Sequence, residues 1–411
     1  MTHSANQCDL AELLKNIPFP GDVDLSGKKV FVRTDFNVPL DENGSPVDDG
    51  RLRAVLPTIN HLLDHGASVI IGSHLRNPLD RDGRPDPRFS FAPLARRLSR
   101  IWEVDVSFAP EVIGPATAEA AAKLAPGQVM LLENLRFHPG EITGDPAFAK
   151  ELAALADVYV NDAFGVCHRA HASMTTIVRF AGQSCGGLAL KNELMAMGRA
   201  LYNPAQPMAA IIGGRNVDFK LPVVTKLMNR ADFVILGGQM GDAFSRLALG
   251  GGIEHFSLAQ ESVEEIRAIL SRCREYKAKL FFPVDAVALS GEGDTVTNVP
   301  AQNLTPELVS EDIGPATQLL YSQVFSLCRT IIWNGPMGAY ETPAFSKGTA
   351  LVTRALAECP GVTLAGGVDT SAAILKMSDR NQVSFLSTGG SAFLKALAGQ
   401  PLVALEALLR K

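Results

Sequence analysis

"AAIIGGRNVDFK", residues 209–220, joins an apolar run of strand length to a glycine pair, a polar turn and a lysine. The run at 209–212 has the character of a strand buried in a parallel sheet, and Gly213 and Gly214 end it. A strand that ends in glycines and turns toward a helix exposes backbone N–H groups, which bind phosphate. The stretch therefore predicts a strand–turn–helix unit with an anion-binding turn.

Similar units recur along the whole chain, because short apolar runs alternate with stretches of helical periodicity. "KKVFVRT" from residue 28 is one such run, and "VEEIRAILSRCREY" from residue 263 has the period of a crossover helix. This alternation is typical of βα units around a parallel sheet. A chain of 411 residues is also long enough for more than one core. We predict an α/β fold with two Rossmann-like domains, each with a parallel sheet, joined by a hinge helix.

The residues that follow each strand are informative, because ligands bind at the carboxyl ends of strands in open α/β sheets. In the first half they are mostly cationic or polar: Arg33, Asp35, Asn37, His74, Arg76, Arg136, His138, His168, Arg169 and His171. In the second half they are mostly glycines: pairs at 213–214, 237–238, 366–367 and 389–390, and those of "NGPMG". A single arginine or glycine pair after a strand is usual in a loop. The separation of cationic residues into the first half of the chain and glycines into the second half favours two distinct sites. We predict a pocket for a small polyanion in the first half and a facing nucleotide site in the second.

The domain boundary is expected at a helical stretch, "ALKNELMAMGRAL", that is bracketed by Gly186-Gly187 and Asn203-Pro204. This pattern predicts an acceptor domain at residues 1–186, a connecting helix at 187–203 and a nucleotide-binding domain at 204–399. A hinge of this kind would close over both ligands and exclude water from the transfer.

The composition argues against nucleic-acid-binding, secreted and membrane proteins. The net charge of −5 leaves no basic excess for a nucleic-acid backbone. The six cysteines show no CxxC pair or zinc spacing, which favours reduced thiols. The N-terminus lacks the pattern of a signal peptide, and no apolar run reaches membrane-spanning length. We expect a cytoplasmic protein without nucleic-acid or membrane partners.

Several motifs together resemble the phosphoglycerate kinase family from about residue 26 to the C-terminus: "VFVRTDFNVPLD", "DDGRLRAVLPTI", "SHL", "LLENLRFHPGE", "VNDAFGVCHRAHAS", "DIGPAT", "WNGPMGAYE", "FSKGT" and "STGG". The resemblance implies a two-domain hinge enzyme that moves the γ-phosphoryl group of Mg-ATP to the carboxylate of 3-phosphoglycerate, or runs the reverse. The product would be an acyl phosphate, with ADP as the second product. The resemblance also implies a monomer whose C-terminal segment, residues 400–411, folds back on the first domain.

On the acceptor side, the resemblance implies a substrate-binding set at Asp35, Asn37, Arg51, His74, Arg136 and Arg169. Guanidinium and imidazole groups suit phosphate and carboxylate. On the nucleotide side it implies Lys220 as a phosphate contact, Glu341 as the ribose-binding acid, and Asp369 with Thr370 near the metal and phosphates. Asp369 is the candidate Mg²⁺ ligand. The remaining nucleotide-binding candidates are Gly213, Gly214, Gly237, Gly238, Asn334, Pro336, Gly366 and Gly367.

Two loops depart from the family pattern. The family has Gly-Gly-Ala-Lys-Val-Ser-Asp-Lys where this chain has "GGRNVDFK". Asn216 therefore occupies the position of the lysine that, by this resemblance, stabilises the transferring phosphoryl group, and Phe219 replaces an acid. The family also has Ser-His-Leu-Gly-Arg-Pro where this chain has "SHLRNP", so Asn77 replaces a substrate-binding arginine and Arg76 replaces a glycine. Further departures are Gln239, Val368 and Ser391 at glycine positions and Lys395 at a glutamate position.

The uncharged Asn216 predicts impaired ordinary turnover, because a well-placed cation is worth about 10³–10⁵ in the rate of phosphoryl transfer. In both loops the cation has moved one residue toward the N-terminus. Two interpretations stay open: Arg76 and Arg215 serve a shifted phosphate or a different substrate, or both are solvent-facing loop residues. The candidate catalytic residues are Lys220, Arg51, Arg215 and Asn216, and Arg76 joins the candidate substrate-binding set.

Three functions stay open at this point. The first is a phosphotransferase that acts on 3-phosphoglycerate or a close anionic analogue. The second is a ligase-like enzyme that activates a different carboxylate as an acyl phosphate for capture by an amine. The third is a catalytically impaired homologue that binds these ligands without transfer.

Overall fold

The computed structural model describes residues 10–42, 46–253, 256–290, 295–305 and 307–409, which form two compact units. The first unit contains the described residues up to Met195 and those from Pro401 onward, and the second contains residues 196–400. The helix Leu188–Tyr202 carries the chain from the first unit into the second. Residues 1–9 and 410–411, which the sequence assigns to the first domain, lie outside the described residues.

A parallel sheet of six strands forms the centre of the first unit. The strands are β1 (Lys29–Thr34), β2 (Ser68–Gly72), β3 (Val106–Ala109), β4 (Val129–Leu132), β5 (Val158–Asp162) and β6 (Gln183–Gly186). They lie in the order β3-β4-β2-β1-β5-β6. The helices are α1 (Leu10–Asn16), α2 (Gly50–Ala54), α3 (Leu56–Asp64), α4 (Ala92–Trp102), α5 (Pro115–Lys123), α6 (Gly140–Thr143), α7 (Pro146–Ala153) and the first part of α8 (Leu188–Tyr202). β2, β4 and β5 are buried along their whole length, as expected for parallel strands covered on both faces.

The second unit is built around another parallel sheet of six strands. Its strands are β7 (Met208–Ile212), β8 (Phe233–Leu236), β9 (Lys279–Phe281), β13 (Thr330–Asn334), β14 (Val362–Gly366) and β15 (Phe385–Ser387), in the order β15-β14-β13-β7-β8-β9. Its helices are α9 (Val217–Met228), α10 (Gly238–Ala248), α11 (Gln260–Ser271), α12 (Pro315–Phe325), α13 (Lys347–Glu358), α14 (Val368–Met377) and α15 (Ser391–Leu397). The prediction of two α/β units with parallel sheets is confirmed.

An antiparallel sheet in the second unit was not predicted. It comprises β10 (Asp285–Ser290), β11 (Val296–Pro300) and β12 (Leu308–Ile313), with β10 in the centre. The apolar stretch "KLFFPVDAV", residues 279–287, has the composition of one strand, but the chain divides it into β9 and β10 on either side of Pro283. Proline has no N–H to donate to a neighbouring strand. Accordingly, β9 at the edge of the six-stranded sheet ends before Pro283, and β10, the central strand of the antiparallel sheet, begins after it.

The C-terminal helix α16 (Val403–Ala407) packs within the first unit. The backbone N–H of Ala404 donates to the carbonyl of Cys167 over 3.0 Å. Leu402, Leu405 and Leu408 are buried beside it. Apolar burial and a backbone hydrogen bond therefore hold the end of the chain to the loop that follows β5.

The described cysteines agree with a reduced protein, because Cys167, Cys185, Cys273, Cys328 and Cys359 are all free thiols. Cys8 lies outside the described residues. Within the described ranges, every helix is either too short or too polar to cross a membrane.

The end of α4 provides a test of backbone strain. Glu103 caps this helix in the left-handed conformation, with φ 57° and ψ 31°, where a Cβ is unfavourable. We expect Glu103→Gly to raise the free energy of unfolding of the first unit by about 1 kcal/mol. The matched change Glu151→Gly, within α7, should lower it by about 1 kcal/mol because glycine weakens a helix interior.

Urea unfolding in a Trp333→Phe background measures both effects, because the chain has 2 tryptophans and the other, Trp102, is the last residue of α4. Trp102 fluorescence then reports on the first unit. Equal destabilisation by the two glycine variants would show that the left-handed residue carries no strain.

Candidate active site

A cluster of charged side chains lies where β1, β2 and β5 of the first unit end. Its centre is Arg33, which is fully buried on β1. The Arg33 Nε donates to Ser173 Oγ over 2.7 Å, and its Nη2 lies 3.6 Å from Glu141 Oε1. Glu141 also accepts from the hydroxyl and the backbone N–H of Ser173. The buried cation is therefore paired and hydrogen-bonded, as a charge in a protein interior must be.

Arg33 fixes the state of His74. Its Nη2 lies 3.3 Å from His74 Nδ1, and because arginine only donates, Nδ1 accepts and the ring proton is on Nε2. Burial, followed by the nearby positive charge of Arg33, holds the pKa of His74 well below its ordinary value. His74 is thus a neutral imidazole that offers an Nε2–H donor at neutral pH.

Asp35, Asn37 and Arg51 form the next layer of the cluster. The Arg51 Nη1 donates to Asp35 Oδ2 over 2.8 Å and to the carbonyl of Asn37 over 3.0 Å. The Asn37 side-chain oxygen accepts from the backbone N–H of Arg76 over 3.0 Å. The loop after β1, the start of α2 and the loop after β2 are therefore held together by side-chain hydrogen bonds.

Arg136 and Arg169 complete the cluster. Arg136 is only 5% exposed, and burial together with Arg169 and Arg33 lowers its pKa to about 10, so it remains charged at neutral pH. Arg169 is exposed and has no carboxylate partner among the residues that the structure describes. Arg33, Arg51, Arg136 and Arg169 outnumber the carboxylates of Asp35 and Glu141. This positive excess suits a small polyanion.

The structure brings six of the predicted acceptor residues into this cluster: Asp35, Asn37, Arg51, His74, Arg136 and Arg169. Arg76 contributes its backbone, whereas its side chain is exposed. The candidate catalytic and substrate-binding sets omitted Arg33, Asn77, His171, Glu141 and Ser173. Arg33 and His171 could have been included from their positions in the sequence, since Arg33 lies near the end of β1 and His171 follows β5. Nothing in the sequence marks Glu141 or Ser173, because their role comes from long-range contacts.

The glycine turns of the second unit pack against one another. Gly213 donates its N–H to Asn334 O over 2.8 Å, and Gly214 donates to Pro336 O over 2.6 Å. Gly238 has a φ of 55°, and a Cβ there would lie 2.6 Å from Gly214 N. Glycine is thus required for close approach between backbones.

This arrangement corrects the expectation that these turns offer their amides to phosphate. The amides of four of the glycines are already hydrogen-bonded to backbone carbonyls: Gly213, Gly214, Gly237 and Gly238. These amides are therefore not available to a ligand in this structure. Their contribution to a nucleotide site is to shape the turns that carry other groups.

A nearby cavity of about 200 Å³ is better suited to bind an anion than the glycine turns are. The N-termini of α9 and α14 and the start of α15 contribute to its wall, and the first-turn N–H groups of a helix attract anions. Its lining residues are Asn216, Phe219, Lys220, Asn334, Gly335, Gly367, Val368, Asp369, Thr370, Gly390, Ser391 and Leu394. We call this space the helix-terminus cavity.

Lys220 is the cation of the helix-terminus cavity. It is 9% exposed, and its Nζ donates to the carbonyl of Gly213 over 2.6 Å. Burial lowers its pKa to about 8, while the carboxylate of Asp369 acts in the opposite direction. Lys220 is therefore mostly charged at neutral pH. Because its ammonium group has three N–H donors and Gly213 O accepts from one of them, a phosphate oxygen can accept from another.

Oxygen donors lie in the same cavity. The Asn334 Oδ1 is buried and has no hydrogen-bond partner in the part of the chain that the structure describes, while its Nδ2 donates to Gly366 O over 2.7 Å. Thr370 Oγ1 accepts from Gly335 N over 2.7 Å, which leaves the hydroxyl proton to donate. Asp369 adds an exposed carboxylate. Within the described ranges, no group of three or more His, Cys, Asp or Glu side chains forms a metal site. These donors fit Mg²⁺ held largely by substrate phosphates, which needs only one or two protein carboxylates.

Asn216, Phe219 and Val368 are among the residues at the helix-terminus cavity that depart from the family pattern. Asn216 has a φ of 61°, a left-handed conformation that asparagine tolerates better than most residues. Phe219 is 45% exposed and Val368 is 61% exposed, and both line the helix-terminus cavity. The cavity therefore has two exposed apolar side chains where the family pattern has an acid and a glycine.

Of the predicted nucleotide-side residues, the cavity includes Asn216, Lys220, Asn334, Gly367, Asp369 and Thr370. Its lining does not include Arg215, Gly213, Gly214, Gly237, Gly238, Pro336, Glu341 or Gly366. Arg215 and Glu341 are exposed, and the backbone carbonyl of Glu341 accepts from Lys376 Nζ over 3.0 Å.

Comparison with known proteins adds independent evidence on the origin of these two sites. The sequence model of the phosphoglycerate kinase family matches residues 21–400. The phosphoglycerate kinase of Desulfosudis oleivorans is 42% identical over 391 residues, which cover 94% of this chain and 98% of that protein. The corresponding protein of Syntrophobacter fumaroxidans is 42% identical over 391 residues, which cover 94% and 97%.

Solved structures show the same relationship. The phosphoglycerate kinase of Coxiella burnetii superposes with a TM-score of 0.81 at 34% identity, over 95% of this chain and 98% of the other. That of Pyrococcus horikoshii superposes with a TM-score of 0.82 at 30% identity, again over 95% and 98%. The match extends through both units, and the chain belongs to the phosphoglycerate kinase family.

Proposed function

We propose that this chain transfers a phosphoryl group between Mg-ATP and the carboxylate of 3-phosphoglycerate. The observation that carries the proposal is the pairing, in a chain of this family, of a guanidinium cluster in the first unit with a cavity in the second that is lined by helix N-termini and Lys220. The guanidinium cluster suits a small substrate that bears both a phosphate and a carboxylate. The helix-terminus cavity suits the phosphates of a nucleotide.

The acceptor would be held by charge and by fixed donors. Arg136 and Arg169 provide guanidinium groups, and His74 provides a neutral Nε2–H. Arg51 is oriented by Asp35, so that its position is set before the substrate binds. Preorganised donors of this kind reduce the entropy that binding and reaction require.

The chemistry needs no general base, because the acceptor carboxylate is ionised at neutral pH. A carboxylate oxygen forms a bond to the γ-phosphorus, the bond between that phosphorus and the β,γ-bridging oxygen breaks, and ADP leaves with that electron pair. The product is an acyl phosphate. No proton is transferred in this step, and the reverse reaction returns the phosphoryl group to ADP.

On the nucleotide side, Lys220 would contact the phosphates, and Asp369 with Thr370 and Asn334 would face the metal and phosphate oxygens. A bound Mg²⁺ would neutralise phosphate charge during transfer. The N-termini of α9 and α14 add partial positive charge from backbone amides. Asn216 contributes a polar group without a formal charge.

We expect wild-type protein to transfer phosphate slowly from Mg-ATP to 3-phosphoglycerate, and Asn216→Lys to raise kcat by about 10²-fold, because a cation returns beside the transferring group. ADP release and hydroxylamine trapping of the acyl phosphate measure the reaction. The variant should also unfold more easily, by about 1 kcal/mol, since lysine is less tolerant of the left-handed conformation at this position.

Asn229→Lys is the matched control, because it adds the same charge at the exposed C-terminal cap of α9, away from the helix-terminus cavity. Its kcat should equal that of wild type. Binding of both ligands without transfer in either the wild type or Asn216→Lys would favour the impaired homologue. ATP consumption that depends on another carboxylate and an amine would favour the ligase-like enzyme.

The lowered pKa of Lys220 predicts the pH dependence of Mg-ATP binding. The protonated ammonium attracts phosphate, so affinity is steady below the pKa of about 8 and falls as pH rises above it. The dissociation constant should increase about tenfold per pH unit there. Lys220→Arg should bind with little change between about pH 7.5 and pH 10, because a guanidinium stays protonated across this range.

Isothermal titration calorimetry without 3-phosphoglycerate isolates this effect from catalysis. Lys226→Arg is a control, since Lys226 lies on the same helix outside the cavity lining. It should retain the wild-type pH profile. A wild-type dissociation constant that does not change through this range would remove Lys220 from phosphate recognition.

A further inference from the structure

The turn at Arg76-Asn77 holds one end of the Arg136 guanidinium. Arg136 Nη1 donates to Asn77 Oδ1 over 2.9 Å and also to the backbone carbonyl of Arg76. An Nη group carries two protons, so these two acceptors use both of them. The Nη1 end of Arg136 is therefore occupied by the protein and is not available to a ligand.

The other edge of the same guanidinium is free. Arg136 Nε is buried without a hydrogen-bond partner among the described residues, and Nη2 has none there either. Nε–H and the adjacent Nη2–H point in the same direction and form the fork that binds a carboxylate or a phosphate through two parallel hydrogen bonds. A buried donor without a partner is unfavourable, which indicates that a ligand oxygen completes this site.

The turn itself is held in an uncommon conformation. Arg76 has a φ of 55°, where a residue with a Cβ is strained. The N–H of Arg76 donates to Asn37 Oδ1 over 3.0 Å, so the turn is tied to the loop after β1. This anchored backbone sets both the carbonyl of Arg76 and the side chain of Asn77 against Arg136.

We propose that Asn77 is a positioning residue that orients Arg136 so that its Nε–Nη2 edge receives an oxyanion of the acceptor. The inference rests on the proposed function for the identity of that acceptor. In the family pattern, position 77 is an arginine that binds substrate itself. In this chain Asn77 acts through Arg136. The Nε–H and Nη2–H groups of Arg136 bind the acceptor, and the second guanidinium that the family pattern has at position 77 is absent.

A double-mutant cycle separates this role from a structural one. Asn77→Ala should weaken binding of 3-phosphoglycerate to the nucleotide-free protein about tenfold, the effect of one lost hydrogen bond to a charged group. Arg136→Lys keeps the charge but has no fork, so binding stays measurable. In the Arg136→Lys background, Asn77→Ala should change the dissociation constant less than about twofold.

The control is Asn60→Ala, which removes an exposed asparagine from α3 and should leave the dissociation constant unchanged. Binding of Mg-ATP should be the same in all variants, since its proposed site lies in the second unit. An equal loss from Asn77→Ala in both backgrounds would overturn the inference, and so would no loss in either.

A second measurement does not depend on the acceptor. The proton–nitrogen NMR signal of Arg136 Nε, assigned by its disappearance in Arg136→Lys, should be sharp in the ligand-free wild type and broadened in Asn77→Ala. If the wild type does not bind 3-phosphoglycerate but this broadening occurs, the positioning role stands and the proposed function fails. If 3-phosphoglycerate binds and Asn77→Ala leaves the signal unchanged, the positioning role fails, while the acceptor named in the proposed function stands.

Discussion

The burial of the Arg33 guanidinium is the constraint on which the acceptor cluster depends. A fully buried cation must be paired, and Glu141 with Ser173 provides that pairing across loops from distant parts of the chain. Once Arg33 is fixed, its Nη2 determines which nitrogen of His74 carries the proton, and burial followed by the positive charge of Arg33 holds the pKa of that ring well below its ordinary value. The positive charge of the cluster is then carried by its arginines, which outnumber the carboxylates of Asp35 and Glu141.

The proposed nucleotide site of the second unit is built on a different physical arrangement. Its glycine turns satisfy one another's backbone groups, and the ligand-directed groups lie at the N-termini of α9 and α14 with the buried ammonium of Lys220. Glycine is needed at Gly213 because a Cβ would lie 2.3 Å from Pro336 O. The glycines therefore act indirectly, since the close packing they allow sets the helix N-termini around one cavity.

The sequence predicted what depends on local pattern and missed what depends on distant pairing. Parallel strands place their carboxyl ends at one edge of a sheet, so residues after strands, such as Asp35 and His74, were found correctly to lie together. The role of Glu141 was missed because no local signal shows which acid pairs with Arg33. The glycine amides were assigned to phosphate because sequence does not show whether a carbonyl already accepts from them. The antiparallel sheet was missed for a different reason: β11 is largely exposed, so it lacks the buried apolar run by which the parallel strands were recognised.

The two Arg-Asn pairs look alike in sequence but differ in conformation. At 76–77 the left-handed residue is the arginine, with a φ of 55°, whereas at 215–216 it is the asparagine, with a φ of 61°. In the first loop, a family glycine has been replaced by a residue that is strained there, and the asparagine that follows contacts Arg136. In the second, a family lysine has been replaced by a residue suited to that backbone, and the charge is lost from the helix-terminus cavity. A single shift of each cation toward the N-terminus therefore does not describe both loops. Under the proposed function, the change at 76–77 alters how the acceptor is held, and the change at 215–216 alters the charge beside the transferring group.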